Sequence, residues 1–166
     1  MNRTCLFLLQ VMMLLVFLIF VMSLLVLTLT TRSCSAQTQN ISFKVYVEQL
    51  AFKPDIVFLQ ETYDLKENSS CWNLWPHTPH CSPARSRGSG VTSLINRAEI
   101  DVVTTTSIFD GYILYNELCY NNLIFHAYNV LIPQSDETAI LAFTALNSHI
   151  SKCRDGVIIL GGDYIH

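Results

Sequence analysis

Pro54-Asp55-Ile56-Val57-Phe58-Leu59-Gln60-Glu61-Thr62 is the stretch on which the fold turns. Ile56 to Leu59 is a short continuous apolar run, the pattern of a strand covered on both faces. Polar groups follow at once in Gln60-Glu61-Thr62. Upstream, Phe43, Val47 and Leu50 recur at helical spacing, so Ile41 to Ala51 reads as a short amphipathic helix that Pro54 stops. A second apolar run lies near the end of the sequence. Val157-Ile158-Ile159-Leu160 reads as a fully buried strand, and Gly161-Gly162-Asp163 closes it. Two core strands thus each end in a carboxylate, Glu61 and Asp163. Acids at the ends of neighbouring core strands gather negative charge in one cleft, which suits a hard divalent cation such as magnesium. Such an ion polarises a phosphoryl oxygen and stabilises a leaving oxygen. The paired glycines let the backbone bend tightly and approach a ligand. Standing alone, two acids at strand ends read first as helix-capping or loop-solvating groups.

Between the two runs the pattern is mostly β. Lys66 to Gly90 is loop-like, with Pro76, Pro79, Pro83, Gly88 and Gly90, and Trp72 and Trp75 pack it down. Val91 to Ile95 and Ile100 to Thr105 read as strands, and Asp110-Gly111 as a turn between strands. Tyr112 to Tyr115 and Leu123 to Val130 complete an antiparallel series that Pro133 ends. Ala139, Phe143, Leu146 and Ile150 then mark the buried stripe of a helix. Asp136 and Glu137 sit near its start, where negative charge suits the helix dipole.

The chain has 166 residues, a length that suggests one domain of ordinary size. Its net charge of −3 argues against a strongly basic nucleic-acid coat, while leaving room for a local basic patch. The six cysteines form no C-x-x-C pair, so neither a zinc ribbon nor a redox motif is indicated. Cys71, His77, His80 and Cys81 do cluster, but their spacing fits no familiar zinc pattern.

The first part of the chain is different. From Leu6 to Leu27 only Gln10 and Ser23 interrupt an apolar run, and roughly 20 such residues suffice to cross a bilayer as a helix. Residues 1–28 therefore read as a hydrophobic leader, a signal anchor or transmembrane helix, ahead of a domain over 29–166. Localisation would be membrane-associated or secretory if the leader is used, nuclear or cytoplasmic if it is not. Cys34-Ser35-Ala36 would allow cleavage after Ala36. Asn40-Ile41-Ser42 and Asn68-Ser69-Ser70 are sequons that matter only in the secretory pathway. The competing reading is a buried strand, because Leu25 to Thr30 is rich in strand formers. The same residues cannot serve both roles.

The glutamate stretch resembles a motif of the endonuclease/exonuclease/phosphatase superfamily, and among its members most resembles the apurinic-type endonuclease domain of LINE-type (non-LTR) retrotransposons and their domesticated relatives. Further stretches fall in the family's order: RSRGSGVTSLI (Arg85 to Ile95), FDGYIL (Phe109 to Leu114), NVLIPQSDE (Asn129 to Glu137) and VIILGGDYIH (Val157 to His166). The resemblance runs from about Leu27 to the last residue. It implies a four-layer α/β sandwich with two packed sheets, incomplete at the C-terminus. It implies magnesium-dependent cleavage of a phosphodiester in DNA, with Glu61 as metal ligand and Asp163 orienting or activating the nucleophilic water. Arg85 and Arg87 would touch the nucleic-acid backbone; a solvated loop explains them equally well.

Several positions depart from the family's pattern. Thr30 stands where the family's first strand carries an asparagine. The segment Asn129 to Pro133 lacks the family's active-site tyrosine; Tyr128, three positions from the vacated place at Leu131, should face the other side of its strand. Ile165 stands where the family has an asparagine, a transition-state or phosphate contact. The chain stops at His166, before the family's Ser-Asp-His motif, and two-sheet domains of this kind routinely need about 200–250 residues. One sheet should then be incomplete, with a strand edge left open. These losses point to a degenerate or truncated retroelement-derived fragment without activity. Competing functions are a non-catalytic membrane-anchored or secreted remnant, and a phosphoesterase of the same superfamily acting on lipid or inositol phosphates.

Overall fold

The structure, a computed structural model, describes residues 24–30, 53–62, 79–86 and 88–164. Eight strands and one helix lie in these residues. The strands are β1 (Val26–Thr30), β2 (Ile56–Gln60), β3 (Pro79–Ser82), β4 (Val91–Ile95), β5 (Asp101–Phe109), β6 (Ile113–Tyr120), β7 (Leu123–Leu131) and β8 (Val157–Asp163). The helix is α1 (Asp136–Ile150). They form two four-stranded sheets, ordered β1-β2-β4-β3 and β5-β6-β7-β8. β1 pairs parallel with β2, and β7 parallel with β8; the other pairings are antiparallel. A parallel pair needs a crossover, and α1 supplies it between β7 and β8.

The sheets pack face to face. Ile56 and Phe58 meet Leu118, Phe125 and Ala127 between them, and Val91 meets Leu114 and Leu131. Ile56, early in β2, therefore lies level with Phe125, early in β7. Val91, which pairs with Gln60 at the end of β2, lies level with Leu131 at the end of β7. β2 and β7 thus run the same way, and their parallel partners β1 and β8 run with them. Four strands end at one edge of the sandwich. On the far side of the second sheet, Ile113, Tyr115, Tyr128 and Val130 are covered by Ala142 and Leu146 of α1. On the far side of the first, Val57, Leu59 and Leu94 are fully buried with Leu27 and Leu29 against them. The helix expected from Ile41 to Ala51 lies outside the described residues, as do Trp72 and Trp75, both sequons and residues 1–23.

The strand-former reading of Leu25 to Thr30 describes β1. A membrane span reaching Leu27 would have to take up the first residues of β1. Among the described residues no helix is long and apolar enough to cross a membrane. Other elements differ from expectation for identifiable reasons. β3 arises inside the stretch read as loop; Pro79 is its first residue and β3 ends the sheet's strand order, the place where proline is tolerated. β6 continues from Tyr115 to Tyr120, turning into β7 through Asn121 and Asn122, both at positive φ as a tight two-residue hairpin demands. The buried stripe of α1 runs through Ala142 and Leu146, leaving Phe143 44% exposed. β8 is not fully buried: Ile158 and Leu160 are about half exposed on its outer face, because β8 is last in its sheet's order and α1 covers β6 and β7 instead.

Candidate functional site

The edge at which β1, β2, β7 and β8 end collects the acids singled out above. Glu61 follows directly on β2, half-buried, with φ of 57°. A side chain in this left-handed region costs on the order of 1–2 kcal/mol, so the surroundings must impose it. Two contacts flank it. Thr62 N donates to Gly90 O at 3.0 Å, and Gly90 N donates to Gly111 O at 2.7 Å, which ties the chain after Glu61 to the β5–β6 turn. Before Glu61, the Gln60 side chain is buried and its Nε2 donates to Asn129 Oδ1 at 2.7 Å.

Asp163 closes β8 opposite Leu131, and its carbonyl accepts from Ile132 N at 3.1 Å. Side chains alternate along a strand, so Asp163 shares the inner face with Gly161, which sits against Phe58 and Thr28. Both carboxylates therefore come to the same edge. Thr30 pairs with Gln60 at the end of β1, in the same region. The glycines have a different use from the one expected. A Cβ at Gly161 would lie 2.3 Å from Phe58 Cδ2, and one at Gly162 would lie 1.8 Å from Val130 O. They permit close packing of sheet on sheet and strand on strand.

Arg85 is exposed and ion-pairs with Asp110 in the β5–β6 turn. Its loop is pinned by Ser89, whose buried hydroxyl accepts from Arg85 N and Ser86 N at 2.9 Å each and donates to Ser86 O at 2.7 Å. Arg87, Cys71, His77, Ile165 and His166 lie outside the described residues. The remaining members of the candidate zinc cluster separate: His80 faces inward, 3.0 Å from Thr105 Oγ1, while Cys81, its neighbour on the strand, is exposed on the opposite face. Among the described residues no group of three or more His, Cys, Asp or Glu could hold a metal. Two carboxylates at one edge are a smaller donor set, of the hard-oxygen kind that magnesium accepts while keeping several waters.

One residue was missed by sequence reasoning. Asn129 is fully buried on β7 and reaches across the sandwich: besides accepting from Gln60, its Nδ2 lies 3.1 Å from Leu59 O and 2.9 Å from Thr92 O. The available signal was a lone amide inside an otherwise buried strand, where an unpaired polar group would be costly.

Tyr128 faces away from this edge, as its spacing from Leu131 implies. It sits under α1 with its hydroxyl 2.9 Å from His149 Nδ1 and 3.1 Å from Cys153 Sγ. Tyr115 lies beside it, donating to Glu117 Oε2 at 3.0 Å and standing 2.8 Å from His126 Nδ1. Burial, followed by the bond to Cys153, pushes the Tyr128 phenol well above its ordinary 10.0. Burial, followed by the bond to Glu117, does the same to Tyr115. The unfolded chain then loses these protons first. The stabilisation is complete below pH 10 and is lost as pH rises beyond it. Urea midpoints should fall between about pH 9 and about pH 11. The Tyr115→Phe/Tyr128→Phe double variant should show a clearly shallower fall; an equally steep one would contradict this account.

No family model matches this sequence, and no curated protein does. Solved structures do. The AP endonuclease from Archaeoglobus fulgidus superposes with a TM-score of 0.61 at 15% identity, covering 84% of this chain and 56% of that one. The APE2 catalytic domain from Xenopus laevis gives 0.61 at 12% identity, with 84% and 57% covered. D. rerio TDP2, solved with a single-strand DNA product, gives 0.59 at 11% identity, with 84% and 60% covered. This chain spans less than two thirds of each of them. The likenesses show the fold, an α/β sandwich of the endonuclease/exonuclease/phosphatase type.

Proposed function

We propose that this chain carries the metal-binding edge of a phosphodiesterase-type site, in a domain of retroelement-endonuclease descent whose catalytic machinery has degenerated. The observation that supports this reading is the arrival of Glu61 and Asp163 at one edge of the sandwich, at the ends of strands that run the same way. Glu61 would hold the magnesium ion, and Asp163 would orient or activate an attacking water. When bound, the ion would supply charge stabilisation at a phosphoryl oxygen. DNA is the substrate class this reading implies, in keeping with the single-strand DNA product held by the D. rerio protein.

Degeneracy follows from what surrounds the two acids. Leu131, where the resemblance expects a tyrosine, is buried against Val91 and Leu114, and its side chain offers no hydrogen bond. Tyr128 cannot replace it, since its hydroxyl is engaged on the opposite face of the sheet. Each missing transition-state donor costs on the order of 10²–10³ in rate. A membrane anchor, if the leader is one, would have to lie upstream of Leu24, because the following residues form β1.

Calorimetric titration of the full chain with Mg²⁺ should show binding that weakens by more than about tenfold in Glu61→Gln, a loss that even partners of metal ligands produce. Incubation with supercoiled plasmid or abasic DNA should leave both intact. Magnesium-dependent nicking that disappears in Glu61→Ala would overturn the degeneracy. Equal Mg²⁺ binding by the wild type and Glu61→Gln would overturn the site.

A further inference from the structure

We propose that Asn129 is the positioning residue for Glu61, locking the end of β2 so that the carboxylate is presented at the edge shared with Asp163. The proposal rests on the reading of Glu61 as a metal ligand, and it adds a residue from the opposite sheet that touches neither metal nor substrate.

The geometry is specific. Asn129 projects from β7 into the sandwich and is fully buried. Its Oδ1 accepts from Gln60 Nε2 at 2.7 Å, and its Nδ2 donates to Leu59 O at 3.1 Å and to Thr92 O at 2.9 Å. Leu59 and Gln60 are the two residues that precede Glu61, and Thr92 is the strand partner of Leu59. One amide thus engages both residues before Glu61, together with the neighbouring strand. Immediately beyond this clamp the backbone turns into the left-handed region at Glu61, with φ of 57°. Directly after it, Thr62 N is fixed on Gly90 O. Glu61 therefore sits between two anchors, and the first comes directly from β7, the strand that pairs with the one carrying Asp163. β7 and β8 pair in register, Asn129 opposite Gly161, so the same strand sets where Asp163 stands. Through Asn129, the positions of the two acids become one structural variable. An ordinary buried amide would need only to satisfy itself; this one spends both of its ends on the residues leading to the acid.

The test uses the full chain with Mn²⁺ as a paramagnetic probe of the acids. Asn129→Asp keeps the acceptor for Gln60 and loses the donors; Gln60→Met keeps those donors and loses the side-chain bond. Leu146→Ala, remote under α1, serves as a variant destabilised without touching the site. Both clamp variants should weaken Mn²⁺ binding by about tenfold, while Leu146→Ala binds as the wild type does even with an equal or larger fall in Tm. In the metal-free protein, Cα and Cβ chemical shifts of Glu61 should report a left-handed residue in the wild type and in Leu146→Ala, and an extended or averaged one in the clamp variants. Unchanged shifts and unchanged Mn²⁺ affinity in both clamp variants would overturn the proposal. Should wild type and Glu61→Gln bind Mn²⁺ alike, the metal reading fails, and the metal-free shifts still decide whether Asn129 sets the Glu61 backbone. Should Asn129→Asp not fold, Gln60→Met decides by the same two readouts.

Discussion

Gly162→Ala is expected to abolish cooperative folding. The added Cβ would lie 1.8 Å from Val130 O, 2.7 Å from Val130 C and 3.0 Å from its Cα. All three are backbone atoms of β7, so no rotamer change relieves the clash. β7 cannot retreat, because it is buried from Phe125 to Leu131 and is hydrogen-bonded on both sides. The strand that must move is β8, and with it go the contacts of Gly161 with Phe58 and Thr28. The loss should exceed about 4 kcal/mol, in the range reserved for disrupted cores. Gly88→Ala is the matching control. A Cβ there meets nothing within 4 Å, and only the positive φ of 80° opposes it, at a cost of about 1–2 kcal/mol. Urea denaturation followed by far-UV circular dichroism compares the two. A Gly162→Ala midpoint no lower than that of Gly88→Ala would show that β8 does not pack as described.

Removal of residues 1–36 should be nearly as damaging. Cleavage after Ala36 would carry β1 away. β1 pairs with the whole of β2, from Val26 opposite Ile56 to Thr30 opposite Gln60. Leu24 and Val26 pack on the inner core, and Leu27 and Leu29 on the outer cluster with Val57, Leu59 and Leu94. Losing these four partly buried side chains forfeits on the order of 5 kcal/mol, which is comparable with the whole stability of a domain this size. It also strips one edge of β2, leaving Ile56 to Leu59 as an apolar strand open to pairing with other molecules. A chain starting at Gln37 should aggregate or melt without a cooperative transition, whereas one starting at Leu24 should fold. A cooperative melt of the shorter chain at the full-length midpoint would sink this expectation. The consequence reaches function as well: a leader cut off after Ala36 and a folded candidate site exclude one another.

Much of the fold was legible from local pattern. The continuous run Ile56 to Leu59 marked a central strand, and it proved fully buried. Asp110-Gly111 marked a turn, and Gly111 takes positive φ there. Ser135 caps α1 just ahead of Asp136 and Glu137, where the acidic first turn was expected. The same kind of reading failed at β8. Its apolar run matches that of β2, yet Ile158 and Leu160 are exposed, because hydrophobicity reports what a strand can bury and not whether a neighbour exists to bury it. It failed again at α1, where Phe143 and Ala142 are adjacent: the larger side chain suited a stripe, but the helix turns the smaller one toward Tyr128 and Val130.

By itself, the sequence determined most of the strands (though not β3 or the full length of β6), where most of them turn, and that two of them end in acids. Those properties depend on neighbours within a few residues, through backbone period and turn chemistry. Only the tertiary structure decided that β1, β2, β7 and β8 run the same way and so bring Glu61 and Asp163 to one edge. It decided that Gly161 and Gly162 make room for close packing of sheet and strand, and that Asn129 belongs to the end of β2, 69 residues away from Gln60 along the chain. It also decided that Tyr128 is committed beneath α1. Each of these depends on which face meets which across the sandwich, and a pairing between distant segments leaves no periodic trace in either of them.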